Sequence, residues 1–341
     1  MGKSVNISKI KKLTSVNTTK EVNKIYKVHT PSLYKYIQNK KTFENFIKEK
    51  EKFFLNRLKL PTSIFKNKEV LDLGSGTGIN SSCFAIWGAK LTLVEYDKFS
   101  FSFSKNFYKK TLRKKATFIN SDIFLFKTKK KFDFVHCNGV LHHTSNTKLG
   151  IKMISGFLKK GGFFIFCNSN TSAYFQRHLQ RFTLFKITKN NDDIYKYSKL
   201  LFSENIRRAK KFGQRSTDSI IYDNYLNPKI DTCSYEEILK LFKKNKLNLY
   251  NSHPPYKEVI DLVSNNISTQ FYNHSQQNLQ SFSIAETKWL MNKYDERYYD
   301  KNLKFLIKMK KEQDTFLNLM NNMPQKLDIN KFIKKIKNYR Y

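Results

Sequence analysis

Three closely spaced glycines follow a short apolar segment and would bring main chain against a ligand. Residues 70–78 read VLDLGSGTG, so an apolar strand delivers Asp72 to a turn with glycine at positions 74, 76 and 78. Glycine adopts positive φ readily and lets the backbone approach a ligand closely. The N–H groups at the start of the following helix can meet a carboxylate. The pattern predicts a binding turn for a ligand that carries a carboxylate.

The spacing of these glycines argues against a dinucleotide cofactor. The dinucleotide fingerprint, Gly-x-Gly-x-x-Gly, places its third glycine three residues after the second. Here position 79 is isoleucine and the third glycine falls at Gly78. NAD and FAD are therefore disfavoured as ligands.

This arrangement resembles motif I of the class I S-adenosylmethionine-dependent methyltransferases. The resemblance continues in order over residues 68–168 and less clearly over 234–310. It implies S-adenosyl-L-methionine as the cofactor and S-adenosyl-L-homocysteine as the product. The residues that it places around the cofactor at the turn are Asp72, Gly74, Ser75, Gly76 and Gly78.

Glu95 closes the second predicted strand and occupies the family's position for the acidic residue that binds both ribose hydroxyls. Its two carboxylate oxygens can accept two donors at once. Its negative charge would also repel a 2′-phosphate, which favours adenosine over NADP. Tyr96, the next residue, is expected to lie against the adenine.

The ends of the third and fourth predicted strands supply the remaining cofactor contacts that the resemblance implies. Asp122 would accept a hydrogen bond from the exocyclic amine of adenine, and Ile123 would pack on the ring. Asp122 could equally cap the segment that follows it. Asn138 lies in the segment HCNGVLHHT, residues 136–144, which is similar to the segment of small-molecule methyltransferases that borders the methionine moiety and the acceptor.

Adjacent histidines, His142 and His143, end this segment. Neighbouring residues of a helix point in different directions, so at most one of the two should face the pocket. We expect it to be His143, whose imidazole would remove a proton from a hydroxyl or an acidic carbon of the acceptor. The alternative is a structural histidine at a helix start that bonds to backbone.

The elements that must position these residues alternate between strands and helices. Strands are predicted at 69–73, 91–95, 117–119, 132–137, 163–168 and 247–251, with a last, antiparallel one at 304–309. The pattern predicts an α/β fold, a Rossmann-like, doubly wound, mainly parallel seven-stranded sheet with a helical N-terminal cap and helical insertions.

Five segments are predicted along the chain. They are a helical N-terminal cap (1–60), the cofactor-binding core (61–170), a helical lid insertion (171–231), the end of the core with a second insertion (232–311) and a basic helical tail (312–341). Within the lid, the segment around Tyr222, Asp223 and Tyr225 resembles a bacterial subset with a long aromatic insertion, and these side chains could bond the acceptor. They could equally be ordinary loop residues.

Composition narrows the functional classes. The net charge of +37 suits RNA as a partner. However, lysine is spread over the whole chain together with abundant Asn, Ile, Phe and Tyr, which favours a general bias in amino-acid usage over a specific RNA-binding surface. The four cysteines are too widely spaced for a disulfide framework or a metal site, and no metal is expected. No apolar run reaches the roughly 20 residues of a transmembrane helix. No secretory signal is recognised, so a cytoplasmic protein is expected.

The sequence thus predicts methyl transfer to a small-molecule, sugar or lipid-linked acceptor. Families that methylate exocyclic amines of nucleic-acid bases carry Asn or Asp followed by Pro-Pro and an aromatic residue after the fourth strand, whereas this chain has Asn-Gly-Val-Leu at 138–141. The alternatives are an RNA methyltransferase and a non-catalytic methyltransferase-like scaffold. The sequence does not fix the oligomeric state.

Overall fold

The computed structural model describes residues 22, 37–213, 216–253, 286, 311, 313 and 314. These residues fall into two compact units. Unit 1 contains residues 22, 37–169 and 229–253, and unit 2 contains the described residues of 170–228 together with 286, 311, 313 and 314. Most of the predicted second insertion, the strand at 304–309 and nearly all of the tail lie outside the described residues.

A parallel sheet of five strands forms the centre of unit 1. The strands are β1 (Glu69–Leu73), β2 (Lys90–Glu95), β3 (Thr117–Asn120), β4 (Phe132–Asn138) and β5 (Leu158–Cys167). Their spatial order is β3-β2-β1-β4-β5, and every neighbouring pair is parallel. The order reverses between β1 and β4, and ligands of such sheets bind at the carboxyl ends of the strands beside this reversal.

Helices surround the sheet in unit 1 and make up most of unit 2. In unit 1 they are α1 (Lys40–Lys52), α2 (Ser82–Ile86), α3 (Lys98–Asn106) and α4 (Thr147–Ser155); in unit 2, α5 (Phe175–Ile187), α6 (Asn191–Leu201), α7 (Ser203–Gly213) and α8 (Thr217–Ile221); and again in unit 1, α9 (Tyr235–Lys244). π-helical turns at Phe53–Arg57, Phe107–Leu112 and Tyr222–Leu226 continue α1, α3 and α8, and 3₁₀ turns lie at Thr62–Phe65 and Leu141–His143. Two short strands, β6 (Ser169–Asn170) and β7 (Thr232–Cys233), complete the described elements.

Side-chain alternation along the strands divides the core of unit 1 into two layers. Leu71 and Leu73 of β1 pack with α4 and α9 on one face, in a cluster that includes Ile151 and Phe242. Val70 packs on the other face, in a cluster formed with α1, α2 and the turn after α3. Helices on both faces of a parallel sheet confirm the predicted α/β class.

The sixth predicted strand is not formed. Residues 247–251 do not join the sheet. The Leu247 N–H donates to the Phe242 carbonyl, and the side chain of Tyr250 donates to the carbonyl of Lys59. The apolar side chains of this segment still pack on the core, which explains the strand-like pattern, but its polar groups bond outside the sheet. The predicted seven-stranded sheet is therefore not found among the described residues, whose main sheet has five strands.

Two of the helix starts follow from local sequence. Asn39 forms a reciprocal capping box with Thr42 at the start of α1. Ser234 does the same with Glu237 at the start of α9, as the sequence predicted. No helix in the described ranges has both the length and the apolar character that a membrane span requires.

Candidate cofactor site

The glycine-rich turn after β1 is held against the end of β2. The N–H groups of Gly74 and Ser75 both donate to the carbonyl of Val94, at 2.9 and 3.1 Å. The Gly78 N–H donates back to the Ser75 carbonyl at 3.0 Å, and the buried Tyr108 hydroxyl donates to the carbonyl of Gly78. The turn is therefore fixed at the carboxyl edge of the sheet.

The three glycines of the turn are required for different reasons. All have positive φ, +73° at Gly74, +55° at Gly76 and +72° at Gly78. A Cβ on Gly74 would lie 2.6 Å from a methyl of Val140, and one on Gly78 would overlap the hydroxyl of Ser104. A Cβ on Gly76 would meet nothing within 4 Å. Gly74 and Gly78 thus satisfy the protein's own packing, whereas Gly76 borders open space of the kind that a ligand occupies.

Glu95 lies directly beside this open space. Its Oε2 accepts from the Gly76 N–H at 2.7 Å, and its Oε1 accepts from the Asp97 N–H at 2.8 Å. Burial raises the pKa of Glu95, and the two backbone donors act against that rise. The acidic residue and the turn are therefore on the same side of the sheet, as a shared ligand requires.

A cleft of roughly 630 Å³ begins at Tyr96, the residue after Glu95, and extends across the ends of β2 and β3. Three of its lining side chains are apolar and unusually exposed, Tyr96 at 39%, Phe99 at 57% and Leu125 at 48%. The Asn120 side chain donates to the carbonyls of Glu95 and Tyr96 and ties the two strand ends together. An open cleft with large apolar faces suits a flat, weakly polar group such as adenine.

Asp122 lines this cleft and also shapes the segment after β3. Its Oδ1 accepts from the Phe124 N–H at 2.8 Å, and its carbonyl accepts from the Leu125 N–H at 3.0 Å. The resulting turn presents Leu125 to the cleft and directs Ile123 to the core, where it packs near Leu73. Leu125 and Phe99 are thus cleft residues that the sequence reasoning missed, because each stands among other apolar residues, in IFLF at 123–126 and FSFSF at 99–103, and the sequence does not mark which of them faces the cleft.

Asp72 is buried behind the turn and bonded on both oxygens. Oδ1 contacts His136 Nδ1 at 2.7 Å, in register across β1 and β4, and Oδ2 accepts from the Ser81 hydroxyl. Half-buried Lys50 of α1 lies nearby. Burial lowers the pKa of its ammonium, against the opposing influence of the Cys83 thiol and of Asp72. Asp72 therefore joins β1, β4 and the start of α2 at the base of the turn, an arrangement that sequence spacing could not reveal.

One buried hydroxyl of the turn also suits a ligand. The Ser75 Oγ is buried and has no hydrogen-bond partner within the described part of the chain. Buried polar atoms are nearly always bonded. Together with the open position at Gly76 and the carboxylate of Glu95, this hydroxyl fits a bound group with both polar and sugar-like parts.

A model of a known domain family matches this part of the chain. Residues 64–205 match a family described as a methyltransferase domain. The chain carries a methyltransferase domain. This match agrees with the methyltransferase that the sequence predicted, whose cofactor would be S-adenosylmethionine.

Relatives of the methyltransferase domain include the ubiquinone biosynthesis O-methyltransferases of several Coxiella burnetii strains. The identity is 32% over 112 residues, which are 32% of this chain and 47% of the relative, so the chain spans about half the length of the curated relatives it matches. Similar solved structures include PKMT2 from Rickettsia typhi in complex with AdoHcy, with 17% identity, a TM-score of 0.43 and coverage of 53% of this chain and 38% of that one. An S-adenosylmethionine-dependent methyltransferase from Clostridium acetobutylicum has 24% identity, a TM-score of 0.31 and coverage of 46% and 60%.

The end of β4 brings a second open position to the methyltransferase domain. Asn138 is exposed at the end of the strand, and Gly139 follows with φ +74°, where an added Cβ would meet nothing within 4 Å. Val140 packs on Gly74 of the glycine turn. The segment that leads to the two histidines therefore lies next to the turn.

His143 is oriented by the backbone of the methyltransferase domain. It ends the 3₁₀ turn Leu141–His143, and its Nδ1 lies 2.9 Å from the carbonyl oxygen of Lys229. A carbonyl only accepts, so Nδ1 carries the proton and, in the neutral ring, Nε2 carries the lone pair. His142 is buried, and its own carbonyl accepts from the Asp231 N–H. The bond to backbone that a structural histidine would make is present, and the same bond would orient a base, so the role of His143 as a base stays a prediction.

The three residues expected on the acceptor side belong to unit 2. Tyr225 is only 1% exposed, stacks on Phe202 and donates to the side chain of Gln180. Tyr222 is half-buried and contacts the ring of Tyr195. The packing of Tyr225 is that of a core residue of unit 2. A contact of Tyr222, Asp223 or Tyr225 with an acceptor stays a prediction.

Proposed function

We propose that the chain transfers the methyl group of S-adenosylmethionine to a hydroxyl group of a small-molecule, sugar or lipid-linked acceptor. The observation that carries the proposal is the pairing of open space at Gly76 with the carboxylate of Glu95, bonded to the N–H of that same glycine. Main chain and a carboxylate so placed suit a ligand that joins an amino acid to a ribose.

The residues that would hold the cofactor follow from their positions. Gly76 and Ser75 would face the amino-acid part, Glu95 the ribose hydroxyls, and Tyr96 and Leu125 the adenine. The ribose hydroxyls would compete for the carboxylate oxygens that now accept from Gly76 and Asp97. A carboxylate has about four lone-pair sites, so it can serve both sets of donors.

The bound cofactor supplies a methyl group on a positively charged sulfur, which is displaced in line and requires little covalent assistance. The protein's tasks are then to align the acceptor, exclude water and remove a proton where the acceptor is a hydroxyl. His143 Nε2 suits the last task, because the Lys229 carbonyl holds the proton on Nδ1. The name of the Coxiella relatives, an O-methyltransferase, supports a hydroxyl acceptor.

The acceptor class can be tested with a labelled methyl donor. The full chain is incubated with methyl-labelled S-adenosylmethionine and a protein-free cell extract that retains metabolites, lipids and RNA, which is then separated into small-molecule, lipid and RNA fractions. A Glu95→Ala chain serves as the matched control for donor-dependent transfer. Label is expected in the small-molecule or lipid fraction with the unaltered chain only.

Two other outcomes would overturn the proposal. Label confined to RNA, with binding that weakens steeply with salt, would assign the net charge of +37 to RNA recognition. No binding of S-adenosylhomocysteine in calorimetry would leave a non-catalytic scaffold.

A further inference from the structure

Two arginines lie one turn apart on α5 of unit 2. Arg177 and Arg181 are half-buried, and neither forms an ion pair with a carboxylate within the described ranges. The groups that accept their hydrogen bonds are neutral: Arg177 donates to the side chain of Asn224, and Arg181 donates to the carbonyls of Asn224 and Asn227, at 3.2 and 2.8 Å. Two cations are thus brought close together in a partly desolvated position without a bonded counter-charge.

Neighbouring groups orient these arginines but do little to neutralise them. The guanidinium of Arg177 lies 5.1 Å from the ring centre of Tyr174, and that of Arg181 lies 5.2 Å from that of Phe185. Burial, together with the positive charge of Arg177, lowers the pKa of Arg181 to about 10, whereas Asp223 acts in the opposite sense. Burial and both arginines also lower the pKa of His178. The carboxylate of Asp223 thus supplies one negative charge beside the two positive charges of the arginines.

The hydrogen bonds of Arg177 are incomplete. Its Nε is buried and has no partner in the described part of the chain. A buried donor on a charged group that is left without a partner costs more than an ordinary missing bond. Arg181 caps the carbonyls at the end of the turn Tyr222–Leu226, which is a complete structural role, but Arg177 has no such complete role. The missing partner is an acceptor, and the positive charge of the two arginines favours a negatively charged one.

We propose that Arg177 and Arg181 form a binding site for the carboxylate or phosphate group of a small ligand. The planar guanidinium presents its N–H groups as a fork that matches two oxygens of either group. The flanking Tyr174 ring holds the Arg177 fork in place. The site concerns unit 2 alone and does not rest on the proposed methyl transfer.

The test uses the full chain and two probes, inorganic phosphate and malonate. Each is titrated by calorimetry and by thermal unfolding, with potassium chloride at matched ionic strength as the reference, because a basic protein attracts all anions. The variants are Arg177→Gln and Arg177→Lys. The matched control is Arg207→Gln, an exposed arginine of the same unit that already forms a bidentate pair with Glu204, at 2.7 and 2.8 Å.

The unaltered chain and Arg207→Gln are expected to bind one of the two probes more tightly than chloride. Loss of a charge-assisted hydrogen bond should weaken that probe about tenfold or more in Arg177→Gln. Arg177→Lys, which keeps the charge and loses the fork, should fall between them. The probe that binds identifies the group as phosphate or carboxylate.

Two results would overturn the site. One is binding no tighter than chloride in the unaltered chain, and the other is equal probe affinity in all variants. If Arg177→Gln does not fold, Arg177→Lys decides alone. Binding of S-adenosylhomocysteine to the unaltered chain is measured in the same series. If the unaltered chain binds the probe but not S-adenosylhomocysteine, the methyltransferase proposal is refuted and the anion site stands.

Discussion

Replacement of Gly76 by alanine tests whether a glycine is required at this position for cofactor binding or for folding. The added Cβ would meet no protein atom within 4 Å, so the fold should accept it apart from the strain of φ +55°. Gly161, with φ +77° and equally open surroundings, lies at the amino end of β5 and so at the opposite edge of the sheet. Gly161→Ala is therefore a matched control for backbone strain.

The expected magnitudes differ between the two variants. A non-glycine residue at positive φ costs about 1–2 kcal/mol, so both proteins should lose that much stability. At Gly76 the methyl group would also intrude on the bound cofactor. Overpacking by one methyl group costs about 1–3 kcal/mol, which corresponds to about a 5- to 150-fold increase in Kd. Gly78→Ala should instead destabilise the protein further, because its Cβ overlaps Ser104.

Calorimetric titration with S-adenosylhomocysteine, paired with chemical denaturation, measures both quantities. Gly76→Ala should fold like Gly161→Ala and bind far more weakly. Equal affinities in these two variants would refute the assignment of the open space at Gly76 to the cofactor.

Three further predictions concern the carboxylate, the histidine and the buried pair. Because burial raises the pKa of Glu95, the folded protein holds the carboxyl proton more tightly than the unfolded chain does. The stability of the ligand-free protein should therefore fall as the pH rises through the pKa of Glu95 in the folded state. The affinity for S-adenosylhomocysteine should rise over the same range, because the ribose hydroxyls bond to the ionised carboxylate. Calorimetry and denaturation from about pH 4.5 to 7.5 check both trends, and Glu95→Gln should flatten them. His143→Ala should lower kcat about 10²- to 10⁴-fold with cofactor affinity unchanged, and full turnover in that variant would exclude the base. His136→Leu should cost about 2 kcal/mol in urea unfolding, since Asp72 loses a buried partner, whereas His136→Gln should recover part of it; equal stability of all three proteins would contradict the role given to this pair.

Features that depend on short-range pattern were predictable from the sequence. The strand before the glycine turn, the capping box at Ser234 and the place of Glu95 at the end of β2 were all predicted and found. Each depends on residues close in sequence, or on the rule that parallel strands present their carboxyl ends at one edge.

Features that depend on the phase of a turn or on strand register were not predictable from the sequence. Ile123 and Leu125 are both apolar and two residues apart, and only the turn closed by Asp122 decides which of them faces the cleft. The pairing of Asp72 with His136 depends on the register of β1 against β4. The predicted strand at 247–251 has the right apolar pattern but bonds outside the sheet, and pattern alone cannot report where backbone groups bond.

The exposed apolar surface formed by Tyr96, Phe99 and Leu125 also affects how the protein behaves during purification. Apolar surface left open to water draws protein molecules to one another. A bound nucleoside would cover this surface. Purification and crystallisation should therefore proceed best with S-adenosylhomocysteine in the buffer, and its removal should promote aggregation.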